Sequence, residues 1–130
     1  MTAIRRSATC RSRRTVAPLV LAICALGATL VPWLQVRAAE LPSYPVALEG
    51  HRISPSRLEV PAGTRIKLVL HNASGGAAEF EGREMRVEKV LGPGATSFVV
   101  LPPLQPGQYR FFDEFHPDAP DLVVIARCHR

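Results

Sequence analysis

Two short stretches hold most of the side chains in this sequence that could do chemistry. The first is Ala78-Glu79-Phe80-Glu81; the second is Asp113-Glu114-Phe115-His116, with Asp118 just beyond it. One imidazole among several carboxylates is a hard-to-borderline donor set. It suits iron, or copper in its oxidised state, better than a thiol-seeking metal. The candidate metal ligands are therefore His116, Glu79, Asp113, Glu81 and Glu114, with Met85 as a soft thioether for reduced copper. A plainer reading exists for each. Acids in loops are commonly solvated, His116 before Pro117 can pack and hydrogen-bond in a turn, and Met85 alternating with Val87 fits a core position. His51 and His71 read as structural residues on or beside strands, and the terminal Cys128-His129 pair is a poor cage for an ion. No nucleophile with a neighbouring base, phosphate-cradling glycine loop or paired-cysteine motif is visible. The sequence thus offers no catalytic residue and no positive argument for a hydrolase or transferase.

The elements that would have to position these residues are short strands. Ten prolines punctuate the chain from Pro42 to Pro120, and no stretch between them carries a long apolar pattern of helical period. Alternation with period two appears instead. Ile66, Leu68 and Leu70 face one way, and Arg65, Lys67 and Val69 the other; Phe98 and Val100 alternate with Ser97 and Val99. Tyr109, Phe111, Asp113 and Phe115 are expected on one face of a further strand, and Leu122 to Ala126 reads as a strand buried on both sides. Turn chemistry separates the runs at Pro61-Ala62-Gly63, Ser74-Gly75-Gly76, Gly92-Pro93-Gly94 and Pro106-Gly107. Only Arg83 to Lys89, dense in charge, fits either a short helix or an edge strand. The expectation is an all-β protein, a Greek-key β-sandwich.

The first 38 residues are of a different kind. Arg5, Arg6, Arg11, Arg13 and Arg14 precede an uncharged run from Val16 to Val36, which gives way to Arg37-Ala38-Ala39. A basic start, an apolar middle and a small-residue exit is the layout of a secretory signal. The expected cut follows Ala38, giving a signal peptide over 1–38 and a domain over 39–130. An uncleaved anchor is the alternative, since about twenty apolar residues can span a bilayer; only then would the protein itself contact a membrane. Either way the arginines stay inside and the domain faces outward, which implies a periplasmic or otherwise exported location. Ser12-Arg13-Arg14-Thr15-Val16 also resembles a twin-arginine export signal.

Removing the leader reverses the charge argument. The full chain has 16 Lys and Arg against 11 Asp and Glu, but six of the arginines and none of the acids lie within 1–38, leaving a net charge of about −1 beyond. The high pI therefore belongs to the leader, and no basic surface argues for nucleic acid. Cys10 and Cys24 also lie in the leader, so no disulfide is expected within the domain.

Four pieces, in order, resemble the cupredoxin-like domain family. They are Ser54-Pro55-Ser56-Arg57-Leu58-Glu59-Val60-Pro61-Ala62-Gly63-Thr64 with the strand ending at Asn72; Ala78-Glu79-Phe80-Glu81; Glu88-Lys89-Val90 with Gly92-Pro93-Gly94-Ala95-Thr96; and Pro106-Gly107-Gln108-Tyr109-Arg110-Phe111-Phe112 with His116. The pattern is most similar to the modules of bacterial iron uptake, the EfeO type and the small periplasmic partner of ferrous-iron permeases. The resemblance implies a sandwich of seven or eight strands and a role near iron or copper, assisting ferrous iron oxidation or delivery. The implied partner is a membrane iron permease or another periplasmic uptake component. It also implies where this chain departs from a blue-copper protein. Asp113 stands in the place of the cysteine ligand, Ala78 and Glu79 stand where the early histidine falls, no methionine follows His116, and only His116 is kept. The cofactor expectation is thus a copper or iron ion and no type 1 copper. A metal-free interaction domain and a copper carrier without redox turnover are the alternatives.

Overall fold

The computed structural model describes residues 40–128. The proposed signal peptide over 1–38 and His129 lie outside the described residues.

Two mixed sheets face each other. The strands in chain order are β1 (Ser43–Leu48), β2 (Ile53–Ser54), β3 (Arg57–Pro61), β4 (Ile66–Asn72), β5 (Ala78–Gly82), β6 (Val87–Leu91), β7 (Thr96–Leu101), β8 (Gly107–Asp113) and β9 (Leu122–Arg127). One sheet runs β2-β1-β4-β7 and the other β3-β9-β8-β5-β6. The pairings β1–β4 and β3–β9 are parallel and the rest antiparallel. Eight strands have five or more residues, the upper end of the expectation, and the two-residue β2 makes a ninth.

Period-two alternation builds the core as read. Ile66, Leu68 and Leu70 are fully buried, whereas Lys67 and Val69 are half-buried and Arg65 is exposed. On β7 the inward residues are Val99 and Leu101, leaving Phe98 exposed beneath the Lys67 ammonium, 4.5 Å from its ring centroid. The interior strand β9 buries Leu122, Val124, Ile125 and Ala126 between β3 and β8. The ambiguous stretch resolves into both of its readings. Arg83–Met85 is a single 3₁₀ turn, and β6 follows it as the outer strand of its sheet.

One expectation fails. Tyr109, Phe111 and Asp113 do share an inward face, but β8 ends at Asp113, and Phe115 is exposed in the turn beyond. The cause is local. The backbone N–H of Phe115 donates to Asp113 Oδ1 and that of His116 to the Asp113 carbonyl, so the chain turns before alternation can continue.

The aromatic centre of the core lies just behind that turn. Phe80 on β5 and Phe111 on β8 stack with ring centroids 5.0 Å apart and planes 8° apart. The Phe111 ring lies so close to Gly82 that a Cβ there would come within 2.4 Å of it, so this approach requires glycine. The stack clamps β5 to β8 next to the Phe80–Asp113 register pair. The spacing of the functional side chains is thereby set by packed rings.

Candidate metal site

Strand direction collects one end of the sandwich. The ends of β1, β4, β6 and β8 and the starts of β5, β7 and β9 meet there, and with them the loops holding Gly50, Ser74 and Asp113 to His116. Glu79 and Asp113, 34 residues apart in sequence, are joined because the Glu79 N–H donates to Asp113 Oδ1 at 3.0 Å and the Glu114 N–H to the Glu79 carbonyl at 2.9 Å.

The expected ligands fall into two groups on opposite faces of one sheet. Asp113 points inward and is only 2% exposed. Its Oδ1 also accepts the Phe115 N–H at 3.2 Å, and its Oδ2 lies 2.8 Å from His116 Nδ1. His116 sits at the rim with its side chain 31% exposed. The ring edge bearing Nε2 faces Gly50, where a Cβ would lie 3.6 Å from Nε2 and 3.3 Å from the Ser74 Cβ; with φ at +79°, position 50 is glycine's for both reasons.

The second group lies on the outer face. Alternation turns Glu79 and Glu81 away from buried Ala78, Phe80 and Gly82, and register sets Glu81 opposite Glu88 and Phe112. The Glu79 carboxyl is held above the usual glutamate range, first by burial, then by hydrogen bonding to Glu88 and by the charges of Glu88, Glu81 and Asp113. Glu114 is raised as well, chiefly through hydrogen bonding to Glu81 and its charge, with Arg83 opposing. Crowded carboxylates disfavour each other's ionised forms, and a cation placed among them would relieve the repulsion. Arg83 gives partial relief, 3.3 Å from Glu81 and over the Phe112 ring at 4.8 Å.

The remaining candidates are placed elsewhere. Met85, in the 3₁₀ turn, is half-buried and packs against the core. His71 meets Thr96 on the outer face of the other sheet, and His51 hydrogen-bonds its own loop at the Glu49 carbonyl. Asp118 is exposed. Cys128 is exposed just past β9, beside the start of β8. Since Asp113 ends β8, the strand's length separates the two residues, about 20 Å at about 3.4 Å per residue.

Several residues of this end were not singled out from sequence. Asn72 is fully buried and ties the β4–β5 loop to the β6–β7 loop. Its amide donates to the carbonyls of Gly76, Leu91 and Gly92, and its Oδ1 accepts from the Ser74 N–H and hydroxyl. It thus fixes Ser74, which lies beside Gly50 near the Nε2 edge of His116. Glu88 falls in the stretch that fits either a short helix or an edge strand, so the sequence does not mark it as a neighbour of Glu81. Only the β5–β6 register brings the two together.

Comparison with known proteins fits this geometry into a family. The chain matches the family described as Cupredoxin-like domain over residues 19–126, most of its length. It belongs to that family. A curated relative, an uncharacterized protein of Rickettsia prowazekii (strain Madrid E), is 35% identical over 80 residues, which is 62% of this chain. The match spans 64% of the relative's own length, just under two thirds. Similar solved structures include sodium dithionite-reduced auracyanin of Roseiflexus castenholzii, with TM-score 0.55 and 17% identity over 69% of this chain and 99% of that one. Another is auracyanin A, described as a "blue" copper protein of Chloroflexus aurantiacus, with TM-score 0.56 and 10% identity over 68% and 100%. A third is the metal-binding domain, with Cu(I), of the Cu(I)-exporting P-type ATPase CopA of Streptococcus pneumoniae D39, with TM-score 0.54 and 13% identity over 65% and 84%. At these identities the likeness establishes a shared cupredoxin-like fold.

Proposed function

We propose that this cupredoxin-like domain is an exported accessory module that receives and passes on a copper or iron ion. The observation that carries the reading is the bond between buried Asp113 and His116, which holds an imidazole at the rim with one ring nitrogen left to bind. Imidazole with nearby carboxylates fits an ion that seeks nitrogen and oxygen donors. With Asp113 in the cysteine's place the set does not fit a thiolate copper centre, so we infer no type 1 site.

Transfer suits the geometry better than storage. Among the described residues, no group of three or more His, Cys, Asp or Glu side chains is arranged to hold an ion. His116 would take an ion whose other positions are filled by water or by a partner's side chains. The copper named in the descriptions of similar structures supports copper as the ion. The crowded glutamates support iron, since carboxylates favour the harder ferric state and lower its reduction potential. Kinship to the EfeO type, and a membrane iron permease as the recipient, belong to this proposal too. So does the periplasmic location: N-terminal sequencing of the periplasmic protein should find a start at or near Ala39, and an intact Met1 would refute cleavage.

One observation favours a metal-free interaction domain as the second reading. Among the described residues, every buried side-chain nitrogen and oxygen has a hydrogen-bond partner, so the Asp113–His116 pair is also complete as a structural lock. Calorimetric titration with cupric ion, and with ferrous ion under anaerobic conditions, separates the two. The metal reading expects binding that His116→Ala abolishes or greatly weakens and that His51→Ala and His71→Ala leave intact. If wild type binds neither ion, the interaction-domain reading replaces it.

A further inference from the structure

We infer that β7 is an interaction edge whose partner is a second copy of this chain, the two β7 strands pairing antiparallel about a twofold axis at Phe98.

An open sheet ends in strands whose outer backbone groups can pair with another chain, and sequences blunt such edges with charge, proline or shortness. Among the described residues the edges of the two sheets are β2 and β7, and β3 and β6. β2 has two residues, β3 carries Arg57, Glu59 and Pro61, and β6 carries Glu88 and Lys89. β7 has six residues, Thr96-Ser97-Phe98-Val99-Val100-Leu101, with neither a charge nor a proline. It is the one edge of the four that its own sequence leaves open.

Register tells which groups it presents. The Asn72 N–H donates toward β7, to the Ala95 carbonyl, whereas the Lys67 N–H donates toward β1, to the Pro42 carbonyl. Alternation therefore points the backbone groups of Ile66, Leu68 and Leu70 at β7, where their partners are Leu101, Val99 and Ser97. The N–H and C=O groups of Thr96, Phe98 and Val100 point away from the sheet. The Phe98 side chain, 53% exposed, stands on the outer face above this edge.

An antiparallel pair centred on Phe98 satisfies these groups. Phe98 faces Phe98 of the second copy, Thr96 faces Val100 on either side, and each pair exchanges both of its bonds. Side chains match as well. Pro45, Val69 and Phe98 form one apolar row across β1, β4 and β7, and the twofold axis continues that row into the second copy. Charge permits the approach, since β1, β4 and β7 contain no acid and a single lysine, Lys67. At ordinary strand spacing and rise the two copies of Lys67 fall about 20 Å apart, well beyond the screening length of about 8 Å. The pairing consumes the open edge of both copies while the other edges are blunted, so the assembly closes as a dimer.

Sedimentation equilibrium of the purified protein over a range of concentrations tests the inference, together with amide exchange read residue by residue by NMR. Wild type should approach the mass of a dimer as concentration rises, with slow exchange at the Thr96, Phe98 and Val100 amides. Phe98→Lys, at an exposed position, sets like charges against each other at the axis and should be monomeric, with fast exchange at Thr96 and Val100. Val100→Pro removes an N–H that points away from β4 and should also be monomeric. Val90→Lys changes an equally exposed apolar residue, 54% exposed on β6, and should leave the dimer intact. A wild type that stays monomeric overturns the inference and leaves the edge to another protein's strand. So does a dimer that survives Phe98→Lys, one that Val90→Lys also dissolves, or fast exchange of the Phe98 and Val100 amides within the wild-type dimer. If Val100→Pro does not fold, Phe98→Lys and the wild-type exchange rates decide.

Discussion

Asp113 Oδ2 and His116 Nδ1 lie 2.8 Å apart, three residues apart in sequence, with the acid buried and the imidazole at the rim. This pair occupies the end of β8 where family resemblance leads one to expect a cysteine and a histidine. The buried carboxylate is bonded to the rim imidazole and to the backbone N–H groups of Glu79 and Phe115. Several measurable consequences follow from it and from the packing that holds it.

The first concerns colour. An oxygen in place of a thiolate removes the sulfur-to-copper charge transfer that colours blue-copper proteins. Cupric ion added to the protein should therefore give only weak visible absorption. An intense visible band that persists in Cys128→Ser would mean that the end of β8 has been misread.

Stability should follow the alternation on β4. Leu68 is fully buried between Ile66 and Leu70, so Leu68→Ala should cost about 2–5 kcal/mol. Lys67 faces out and loses only its contact with exposed Phe98, so Lys67→Ala should cost no more than about 0.5–1 kcal/mol. Urea denaturation of both variants checks this; equal losses would mean the strand register is wrong.

Asn72 should matter more than its size suggests. Asn72→Ala takes a donor from the carbonyls of Gly76, Leu91 and Gly92 and the acceptor from the Ser74 N–H, with an expected loss of about 2–3 kcal/mol. Asn72→Asp should be no milder at neutral pH, because a carboxylate cannot donate to those carbonyls. Because Ser74 borders His116 through Gly50, the His116 ring signals should shift in any folded fraction of either variant. Near-wild-type melting of Asn72→Ala would show that the loops are held by something else.

The glutamate face predicts a pH dependence of definite sign. Glu79 and Glu114 both have raised pKa values in the folded protein, through burial and through Glu88 and Glu81 respectively. The folded state then holds protons that the unfolded chain has already released, so stability falls as pH rises from the ordinary glutamate range through the folded values. Glu88→Gln removes the main acidic neighbour of Glu79. Across about pH 4 to pH 8 its unfolding midpoint should fall less than that of wild type and end above it. Parallel curves would mean that Glu79 and Glu88 do not interact.

Apart from Phe115 and the stretch from Arg83 to Lys89, the strands read from the sequence and their faces follow from it alone, because burial on a pleated strand must repeat every second residue and turns need glycine and proline. Ile66, Leu68 and Leu70 were legible as core for that reason, and His116 as a candidate ligand because its place after Tyr109 and Phe111 matches the family. The stretches holding Glu79 and Asp113 stood out by their residue types. Tertiary structure alone decided what those residues do there. The Phe80–Phe111 stack and the β5–β8 register turned Asp113 inward and Glu79 outward, dividing one expected ligand set between two faces. The β5–β6 register added Glu88 to the outer group, and backbone donors from Glu79 and Phe115 occupied the oxygen that would otherwise be free to bind. Neither outcome can be read from residue types, because strand register and backbone hydrogen bonds join positions far apart in the chain. The donors present in a sequence limit which ions can bind, but which lone pairs remain open depends on what each donor touches after folding.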